Sequence, residues 1–286
     1  MVHPDFRAAD LHSHTTASDG RFTPEELIRL AKEKGLAAIG VTDHDTVTGL
    51  EGALAAGNSY GITVVPGVEL STEWEEKEIH ILGYYLDWLE GNLLGFLEAM
   101  RRERSRRVAR IVTRLQELGY NVNLGEVQRE AQGEAVGRPH IAAALVRRGY
   151  FPNLKTAFKT LLARGRPAYV PRAKVAPVRA VEVILKAGGV PVLAHPGLSQ
   201  ADPLIPDLVA AGLQGIEVYY PYHSAGVTKH YLELAARFDL VVTGGSDFHG
   251  IVDESHGDLG ACCVSMAKVE ELQARAKKIK ERTTKV

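Results

Sequence analysis

The sequence of 286 residues contains few of the features that place a protein in a specialised class. It has only two cysteines, Cys262 and Cys263, and because they are adjacent they cannot close a loop of the chain by a disulfide bond. Such cysteine usage is typical of a reducing compartment. No apolar run is long enough to span a bilayer, and no apolar segment near the N-terminus leads to a cleavage site. We therefore expect a cytoplasmic protein without membrane contact.

The sequence also lacks a charge bias, internal repeats and any low-complexity linker. The formal net charge is -1, so the overall charge does not indicate nucleic acid or a membrane surface as a partner. Hydrophobic residues make up 45% of the chain, which is enough for one large core or for one domain with an insertion. The unusual feature of the composition is its eleven histidines, several of which lie beside aspartates in short polar turns.

The most informative stretch is Asp10-Leu11-His12-Ser13-His14, which ends a short apolar run. Residues two apart on a strand point to the same face. His12 and His14 should therefore project side by side, with Asp19 on the loop that follows. Imidazoles and a carboxylate suit a divalent transition metal. An isolated His-x-His pair is equally well explained as two polar residues at a strand end, so the interpretation depends on the rest of the chain.

Apolar runs alternate with amphipathic segments along most of the sequence. The segment Thr23-Pro24-Glu25-Glu26 predicts a helix that starts with a capping box and ends near Gly35. Buried strands are predicted over residues 36–41, 62–70, 79–85, 190–194, 215–219 and 240–245. This alternation predicts an α/β fold with right-handed βαβ crossovers. In a barrel of that kind, the C-terminal ends of the strands form the active-site face.

Between residues 92 and 166 the pattern becomes entirely helical. It predicts one long helix over 92–118 and shorter helices over 124–131, 138–148 and 154–162. We expect an all-helical insertion that covers the active-site face of a barrel formed by residues 1–91 and 167–286.

Seven arginines lie between Met100 and Arg114. Most of them are predicted on a solvated face opposite the apolar stripe of the long helix: Arg106, Arg107, Arg110 and Arg114. Arg104 falls inside the stripe. There it either extends its charged head outward along its aliphatic stem or points at an anion in a cleft.

Imidazoles and carboxylates recur at or near the predicted strand ends. They are His12, His14, Asp19, His44, Glu69, His80, His195, Asp247 and His249. In a barrel these ends converge, so nine ligands could surround two or three metal ions. Individually, His80 could be a core histidine, Glu69 a capping residue and Asp247 a helix N-cap. Their joint occurrence favours a multinuclear metal site.

In order, these segments resemble the motifs of the polymerase and histidinol phosphatase (PHP) family. The matching segments are Asp10–His14, Thr42–Asp45, Gly67–Glu69, Ile79–His80, Ala194–Gly197 and Ser246–His249. The resemblance implies a distorted (β/α)7 TIM-like barrel and a site for two to three divalent ions, with manganese first and iron or zinc as alternatives. It places one ion on His12, His14, Glu69 and Asp247, a second on Glu69, His80 and His195, and a third on Asp19, His44 and His249.

The insertion resembles a narrower branch of the family, the nucleotide phosphatases and RNase AM. The segments that carry this resemblance are Gly137–His140, Phe158 and Arg164–Val170, with Pro139 where the family commonly has a threonine. The resemblance implies hydrolysis of nucleoside 3′,5′-bisphosphates, or 5′-to-3′ trimming of short RNA. We expect Arg138 and His140 to hold a phosphate of the substrate, together with Arg104 and Arg164.

Hydrolysis would use a metal-activated hydroxide, with Asp19 and Glu69 as catalytic metal-holding carboxylates. His223, on a loop after a predicted strand, is either the proton donor to the leaving alcohol or a surface histidine. Tyr222 either stacks on a base or packs within the protein. The expected partner is a nucleotide or short oligonucleotide, with no membrane and no obligate protein partner.

Three alternatives remain open. The same metal site would serve histidinol-phosphate or another small phosphomonoester. A non-catalytic PHP module that stabilises a polymerase would not need the complete ligand set, and the chain has no polymerase-length extension. Amidohydrolase barrels also carry His-x-His after their first strand, but the bridging lysine that many of them use is not evident in this sequence.

Overall fold

One strongly curved sheet organises the fold. The structure is a computed structural model that describes residues 7–131, 136–171, 175–250 and 257–283. Within these ranges the strands are β1 (Ala8–Asp10), β2 (Ala38–Val41), β3 (Thr63–Trp74), β4 (Lys77–Tyr84), β5 (Val190–Leu193), β6 (Gly215–Tyr219), β7 (Val241–Gly244) and β8 (Val264–Ser265). Their order in the sheet is β7-β6-β5-β4-β3-β2-β1-β8.

Helices cover the sheet and build the insertion. The α-helices of the described ranges are α1 (Pro24–Glu33), α2 (Leu50–Tyr60), α3 (Gly91–Glu117), α4 (Leu124–Glu130), α5 (Arg138–Arg147), α6 (Leu154–Ala157), α7 (Pro177–Lys186), α8 (Pro196–Ser199), α9 (Ile205–Ala210), α10 (Ala225–Arg237) and α11 (Met266–Thr283). A π-helical turn over Phe158–Leu162 continues α6. None of the helices described is both long and apolar enough to cross a bilayer.

The sheet is nearly closed into a barrel. The peptide N–H of Leu11 donates to the carbonyl oxygen of Gly244 over 3.1 Å, and Ser13 and Phe248 form a parallel bridge. The segments that continue β1 and β7 are thereby joined, which brings the first and last polar motifs side by side. The predicted α/β barrel is confirmed in its overall architecture.

The middle of the barrel departs from regular βαβ alternation. β3 and β4 form an antiparallel hairpin, and β4 also pairs antiparallel with β5, whereas β1–β3 and β5–β7 run parallel. The hairpin turns through Glu75 and Glu76, both with positive φ (45° and 67°). Glu69 was predicted near a strand end, but β3 continues to Trp74, so Glu69 lies in the middle of the strand.

Local signals at the start of α1 are confirmed. The Thr23 hydroxyl accepts a hydrogen bond from the Glu26 peptide N–H, while the Glu26 carboxylate accepts one from the Thr23 peptide N–H. Pro24 occupies the first turn, where a missing N–H leaves no intrahelical bond unmade. Leu27, Ile28 and Ala31 then face the core.

Helix α3 connects two hydrophobic cores. Its first half, with Leu93, Leu97 and Met100, packs in the core of the barrel. Its second half, from Val108 to Leu115, packs in a separate core with α4, α5 and the π-helical turn. The division into a barrel and an insertion at residue 92 stays a proposal, and this packing supports a boundary inside α3.

One prediction for α3 is wrong. Arg107 was expected on the solvated face, but it is buried, and its Nε donates to the carbonyl oxygen of Val170 over 2.8 Å. Its guanidinium also lies over the ring of Tyr169. The predicted exposure is confirmed for Arg106, Arg110 and Arg114. Arg107 lies at the edge of the apolar stripe, where its long stem and fixed fork let it pack against a neighbouring segment.

Candidate metal centre

The nine histidines and carboxylates predicted as ligands converge at one end of the barrel. Three groups of donor atoms each lie within 4.8 Å of one another: His12, His14, Glu69 and Asp247; His14, Asp19, His44 and His249; and His44, Glu69 and His80. His195, the ninth residue, reaches the cluster through Glu69, since its Nε2 lies 3.1 Å from Glu69 Oε1.

The strand ends explain this convergence. His12 and His14 follow β1 at a spacing of two, and their rings lie side by side with centroids 5.2 Å apart. His44 follows β2 and pairs with Glu69 of β3 as a parallel bridge. His80 enters from β4, which is antiparallel to β3, so it reaches the cluster from within a strand.

Glu69 is the centre of the cluster. It is fully buried, and its two oxygens face different histidines. Oε1 lies 2.8 Å from His80 Nδ1 and 3.1 Å from His195 Nε2. Oε2 lies 2.9 Å from His44 Nδ1 and 3.4 Å from His12 Nε2. A carboxylate placed in this way can bridge two ions.

Several donor atoms of the cluster are buried without a hydrogen-bond partner among the described residues. They are His12 Nε2, His14 Nδ1, Asp19 Oδ1, His44 Nδ1, Glu69 Oε2 and His80 Nε2. Buried polar atoms are normally satisfied, and each one that is not demands an explanation. Unpaired imidazole nitrogens and carboxylate oxygens that face one another have the chemistry and placement of a set of metal ligands, so the site fits divalent cations.

The electrostatics of the cluster also favour cations. Burial raises the pKa of Glu69, but the surrounding imidazoles of His44, His80 and His12 hold it well below its usual range. Burial lowers the pKa of His80, but the Glu69 carboxylate raises it to about 10, and in the same way Asp19 raises the pKa of His249 to about 9. Buried carboxylates thus keep their charge only where positive charge is close.

His14 differs from His80 and His249. Burial lowers its pKa to about 3, and the neighbouring His249 and His44 act in the same direction. The ring is therefore neutral, which is the form that binds a metal ion.

Sequence reasoning missed a set of buried acidic and phenolic side chains behind the ligands. Glu217 accepts from His12 Nδ1 over 3.0 Å and from the His195 peptide N–H over 2.8 Å. Asp43 accepts three hydrogen bonds from Thr15 and Ser18. The Tyr220 hydroxyl donates to Asp247 Oδ2 over 3.1 Å.

Asp10 belongs to the same set. It accepts from the peptide N–H and hydroxyl of Ser246, from the Gly260 peptide N–H and, at 3.3 Å, from the His12 peptide N–H. Burial raises its pKa to about 6, against the effect of these hydrogen bonds. The only sequence signal for the set was an acidic residue inside or just after an apolar strand.

The backbone is strained where candidate ligands are attached. Asp45, His195 and Asp247 have positive φ values of 53°, 27° and 53°. Non-glycine residues adopt this region at a cost, and such residues cluster at functional sites. The strain lies in the turns that aim His44, His195 and Asp247 into the cluster.

The insertion places two of its predicted substrate-binding residues close to the metal centre. Arg138, in the first turn of α5, donates to Glu78 over 2.9 Å and lies over the ring of Phe158. Glu78 also lies 3.6 Å from His80 Nε2. His140 is buried, and its Nδ1 accepts from the Gly137 peptide N–H over 3.0 Å.

The other two arginines predicted to bind substrate are paired with acidic residues of the barrel. Arg104 is buried and forms an ion pair with Asp45, and its guanidinium also donates to Ser71 Oγ over 3.2 Å. Arg164 is half-exposed and pairs with Glu76 at the tip of the β3–β4 hairpin, over 2.5 Å. The structure therefore brings Arg104, Arg138 and Arg164 to the seam between insertion and barrel.

His223 and Tyr222 follow β6. His223 Nδ1 donates to the Val218 carbonyl oxygen over 2.8 Å, and its Nε2 accepts from the Gly197 peptide N–H over 3.2 Å. Burial lowers its pKa. This geometry disfavours the predicted role as a general acid, because both nitrogens are engaged by the backbone and the ring is neutral near neutral pH.

Tyr222 is exposed, and its ring centroid lies 6.1 Å from that of Tyr220. The Tyr220 ring in turn lies 5.4 Å from that of His195. A row of rings therefore leads from the candidate metal centre to the surface.

Known proteins resemble the chain over most of its length. A family model described as the PHP domain matches residues 10–164. The 5′-3′ exoribonuclease Rnm of Escherichia coli is 38% identical over 247 residues, which cover 84% of each chain. The 3′,5′-nucleoside bisphosphate phosphatase of Chromobacterium violaceum is 36% identical over 246 residues, which cover 84% of this chain and 86% of the relative.

A solved structure from Bifidobacterium adolescentis, assigned as a metal-dependent phosphoesterase, has a TM-score of 0.87 and 30% identity. It covers 93% of this chain, and this chain covers 96% of it. These comparisons confirm the resemblance found in the sequence. They also confirm the predicted reaction class, metal-dependent hydrolysis of phosphate esters.

Proposed function

The chain belongs to the PHP domain family, and from this premise we propose that it hydrolyses phosphate esters of nucleotides. The two forms of this activity are removal of a phosphate from a nucleoside 3′,5′-bisphosphate and 5′-to-3′ cleavage of short RNA. One observation carries the proposal: buried, mutually facing donor atoms that have no hydrogen-bond partner among the described residues lie at the mouth of a barrel, beside arginines from the insertion.

The nine residues would hold two to three divalent ions, with manganese as the proposed metal and iron or zinc as alternatives. The first ion would take His12, His14, Glu69 and Asp247. The second would take Glu69, His80 and His195, and the third Asp19, His44 and His249. When bound, such ions lower the pKa of a water molecule enough to supply hydroxide near neutral pH, and they withdraw charge from phosphoryl oxygens.

Side chains of the insertion would bind the phosphate. Arg138 is partly exposed and offers a planar, permanently charged group suited to a phosphate. Because His140 accepts a hydrogen bond at Nδ1, its neutral ring carries the proton on Nε2 and is a donor there. Burial lowers the pKa of His140, which keeps the ring neutral.

Arg104 and Arg164 would contribute to phosphate binding from positions behind and beside Arg138 and His140. Arg104 adds positive charge from a buried position next to Ser71, and Arg164 does so from the hairpin tip. The exposed ring of Tyr222 would offer a surface on which a base can stack.

The charge of the insertion supports a polyanionic substrate. Residues 92–166 contain fifteen lysines and arginines but only six aspartates and glutamates, although the whole chain is almost neutral. This concentration of positive charge attracts phosphates over the distance of a Debye length. A mononucleotide needs only a few of these charges, so the excess supports oligonucleotides as part of the substrate range.

Tests of this function should present competing substrates to one preparation. Protein reconstituted with manganese would be assayed on adenosine 3′,5′-bisphosphate, a 5′-phosphorylated RNA oligomer, histidinol phosphate and a panel of amides. We expect inorganic phosphate or mononucleotides as products, and complete loss of activity with a chelator. Hydrolysis of amides without hydrolysis of phosphate esters would refute the proposal, and a preference for histidinol phosphate would redirect it to small phosphomonoesters.

We propose a cytoplasmic location as well. Cys262 and Cys263 are both free and partly buried. Burial raises the pKa of these thiols, to about 11 and about 12, so they remain protonated and unreactive.

A further inference from the structure

Two buried carboxylates outside the ligand set hold different parts of the cluster. Glu217 lies in β6 and Asp43 follows β2, and both are almost completely inaccessible to solvent. We infer that Glu217 positions ligands of the first and second ions, whereas Asp43 positions a ligand of the third. This inference rests on the proposed three-ion site and assigns to each carboxylate the ions that depend on it.

Glu217 acts on two ligands at once. Oε1 lies 3.0 Å from His12 Nδ1, so in the neutral form of the ring, which is the form that binds a metal ion, this contact keeps the proton on Nδ1. His12 Nε2 is then free to donate its lone pair, and it faces Glu69 Oε2 at 3.4 Å and Asp247 Oδ1 at 3.3 Å. A carboxylate that fixes the tautomer and the ring orientation of a ligating histidine strengthens metal binding.

The second oxygen of Glu217 holds the turn that carries His195. Oε2 accepts from the His195 peptide N–H at 2.8 Å. His195 has a positive φ of 27°, a conformation that needs support from its surroundings. Its Nε2 points at Glu69 Oε1, on the side of the cluster that contains His80. Glu217 therefore supports one proposed ligand of the first ion and one of the second.

Asp43 organises the loop that carries Asp19. Its Oδ1 accepts from the Thr15 peptide N–H at 2.8 Å and from Ser18 Oγ at 2.6 Å. Its Oδ2 accepts from Thr15 Oγ1 at 2.8 Å. The loop is fixed further by the peptide N–H of Gly20, which donates to the Thr15 carbonyl oxygen.

The loop delivers Asp19 to the third proposed ion. Asp19 Oδ1 lies 3.3 Å from His249 Nε2, and Asp19 Oδ2 lies 4.0 Å from His44 Nε2. The hydrogen bonds that the Asp43 side chain makes to Thr15 and Ser18 all lie on this loop. Asp43 also contacts Glu69, but through its backbone carbonyl, which accepts from the Glu69 peptide N–H and survives substitution of the side chain. His14, which precedes Thr15, is held separately, because its own peptide N–H donates to the Phe248 carbonyl oxygen at 2.9 Å.

Glu217 and Asp43 also differ in whether replacement by the corresponding amide should be tolerated. Both partners of Glu217 are N–H donors, so a glutamine, with a single acceptor oxygen, cannot satisfy both. Asp43 faces two donors on Oδ1, while the Thr15 hydroxyl at Oδ2 can accept as well as donate. An asparagine can therefore replace Asp43 with its oxygen toward the two donors and its amide toward the hydroxyl.

The inference is tested by measuring, without substrate, how strongly each of the three subsites binds a metal ion. Crystals of the wild type, Glu217→Gln, Glu217→Ala, Asp43→Asn and Asp43→Ala would be equilibrated with a series of limiting manganese concentrations. Anomalous scattering at the manganese edge would then report the occupancy of each subsite. We expect both Glu217 variants to bind the first and second ions about ten- to hundredfold more weakly, with the third ion retained.

Asp43→Ala should show the opposite pattern, with the third ion weakened and the other two retained. Asp43→Asn should bind all three ions like the wild type. Ser18→Ala, which removes one donor without touching a carboxylate, should weaken the third ion only. The retained ions show in each case that the variant is folded.

Three outcomes would contradict the inference about Glu217 and Asp43. Loss of all three ions in either alanine variant, wild-type occupancy at every subsite in both, or equal tolerance of Glu217→Gln and Asp43→Asn would overturn the inference. A wild type that binds fewer than two ions would instead refute the proposed cluster. Substrate hydrolysis does not enter the measurement, so failure of the proposed function is detected separately.

Discussion

Arg104 of α3 and Asp45 beside the candidate metal centre form a buried ion pair that joins the insertion to the barrel. Asp45 also accepts from the Ser71 peptide N–H over 2.9 Å. The pair lies where α3 passes from the core of the barrel to the core of the insertion. It connects the position of the insertion to the turn that carries His44.

Replacing one member of this ion pair should destabilise the protein more than replacing both members. Arg104→Met leaves the Asp45 carboxylate buried without its counterion, which costs about 3–5 kcal/mol in the free energy of unfolding. The double variant Arg104→Met with Asp45→Asn should recover much of that loss. Denaturant unfolding of the metal-free proteins measures both quantities. An Arg104→Met variant as stable as the wild type would show that the pair contributes nothing to stability.

Arg138 should contribute to substrate binding rather than to metal binding. Arg138→Ala removes a charge-assisted hydrogen bond to phosphate worth about 1.5–3 kcal/mol, which corresponds to a loss in kcat/KM of roughly tenfold to a hundredfold. Metal content should not change. Kinetics on a phosphorylated substrate, combined with elemental analysis, measures the effect.

A matched control is Arg179→Ala, since Arg179 is an exposed arginine that pairs with Glu182 on the outer helix α7. It should leave kcat/KM unaltered. If Arg138→Ala also keeps the wild-type kcat/KM, Arg138 does not belong to the site; if it loses metal, its role is structural.

His223 should contribute more to the stability of the fold than to catalysis. His223→Ala removes hydrogen bonds to Val218 and Gly197 and should cost about 1–3 kcal/mol in stability. A lost general acid reduces the rate by a factor of about 10²–10⁴, and we expect a loss in kcat below tenfold.

Substrates with different leaving groups separate the two roles of His223. A 4-nitrophenyl phosphoester, whose leaving group needs no proton, would rescue a variant that lacks the general acid. We expect the same small loss in kcat on this ester and on a ribonucleotide substrate. A large loss on the nucleotide that disappears on the ester would restore the assignment of His223 as the acid.

The solvent side of α3 should contribute to binding of long substrates only. Arg110 and Arg114 are exposed and form no ion pair within the described ranges, and Arg106 pairs only with Glu103 of its own helix. Replacing the three arginines with glutamine should weaken binding of an RNA oligomer, and should reduce the slope of log K against log salt by about 0.7 per lost phosphate contact. Hydrolysis of adenosine 3′,5′-bisphosphate should stay at the wild-type rate.

Lys277→Gln with Lys278→Gln is the control, because these exposed lysines lie on α11, outside the insertion. This variant should bind RNA like the wild type. An arginine variant with unchanged RNA affinity and salt slope would show that this face is only a solvated surface.

The convergence of the candidate ligands was predictable because its signals are local. His12 and His14 stand two apart after an apolar run, and the period of a strand alone places them on one face. The capping box of α1 is equally local, since Thr23 and Glu26 define it within one turn. In each case the residues that interact are separated by only a few positions.

The buried acidic side chains that sequence reasoning missed depend on contacts between distant segments. Glu217 and His12 are 205 residues apart, so a single glutamate in an apolar strand gives no sign of its partner. The β3–β4 hairpin was missed for a different reason. Its turn consists of two glutamates with positive φ, where asparagine or glycine would normally signal a hairpin.

The bridge between Ser13 and Phe248 has a consequence for how the protein is made. His12 and His14 leave the ribosome before Asp247 and His249, which follow much later in the sequence. Until then the β1 edge has no β7 beside it, and Asp19 and His14 have no neighbour in His249. A nascent chain can therefore present only part of the donor set until His249 has been synthesised, and metal binding that needs all nine donors must wait for that point.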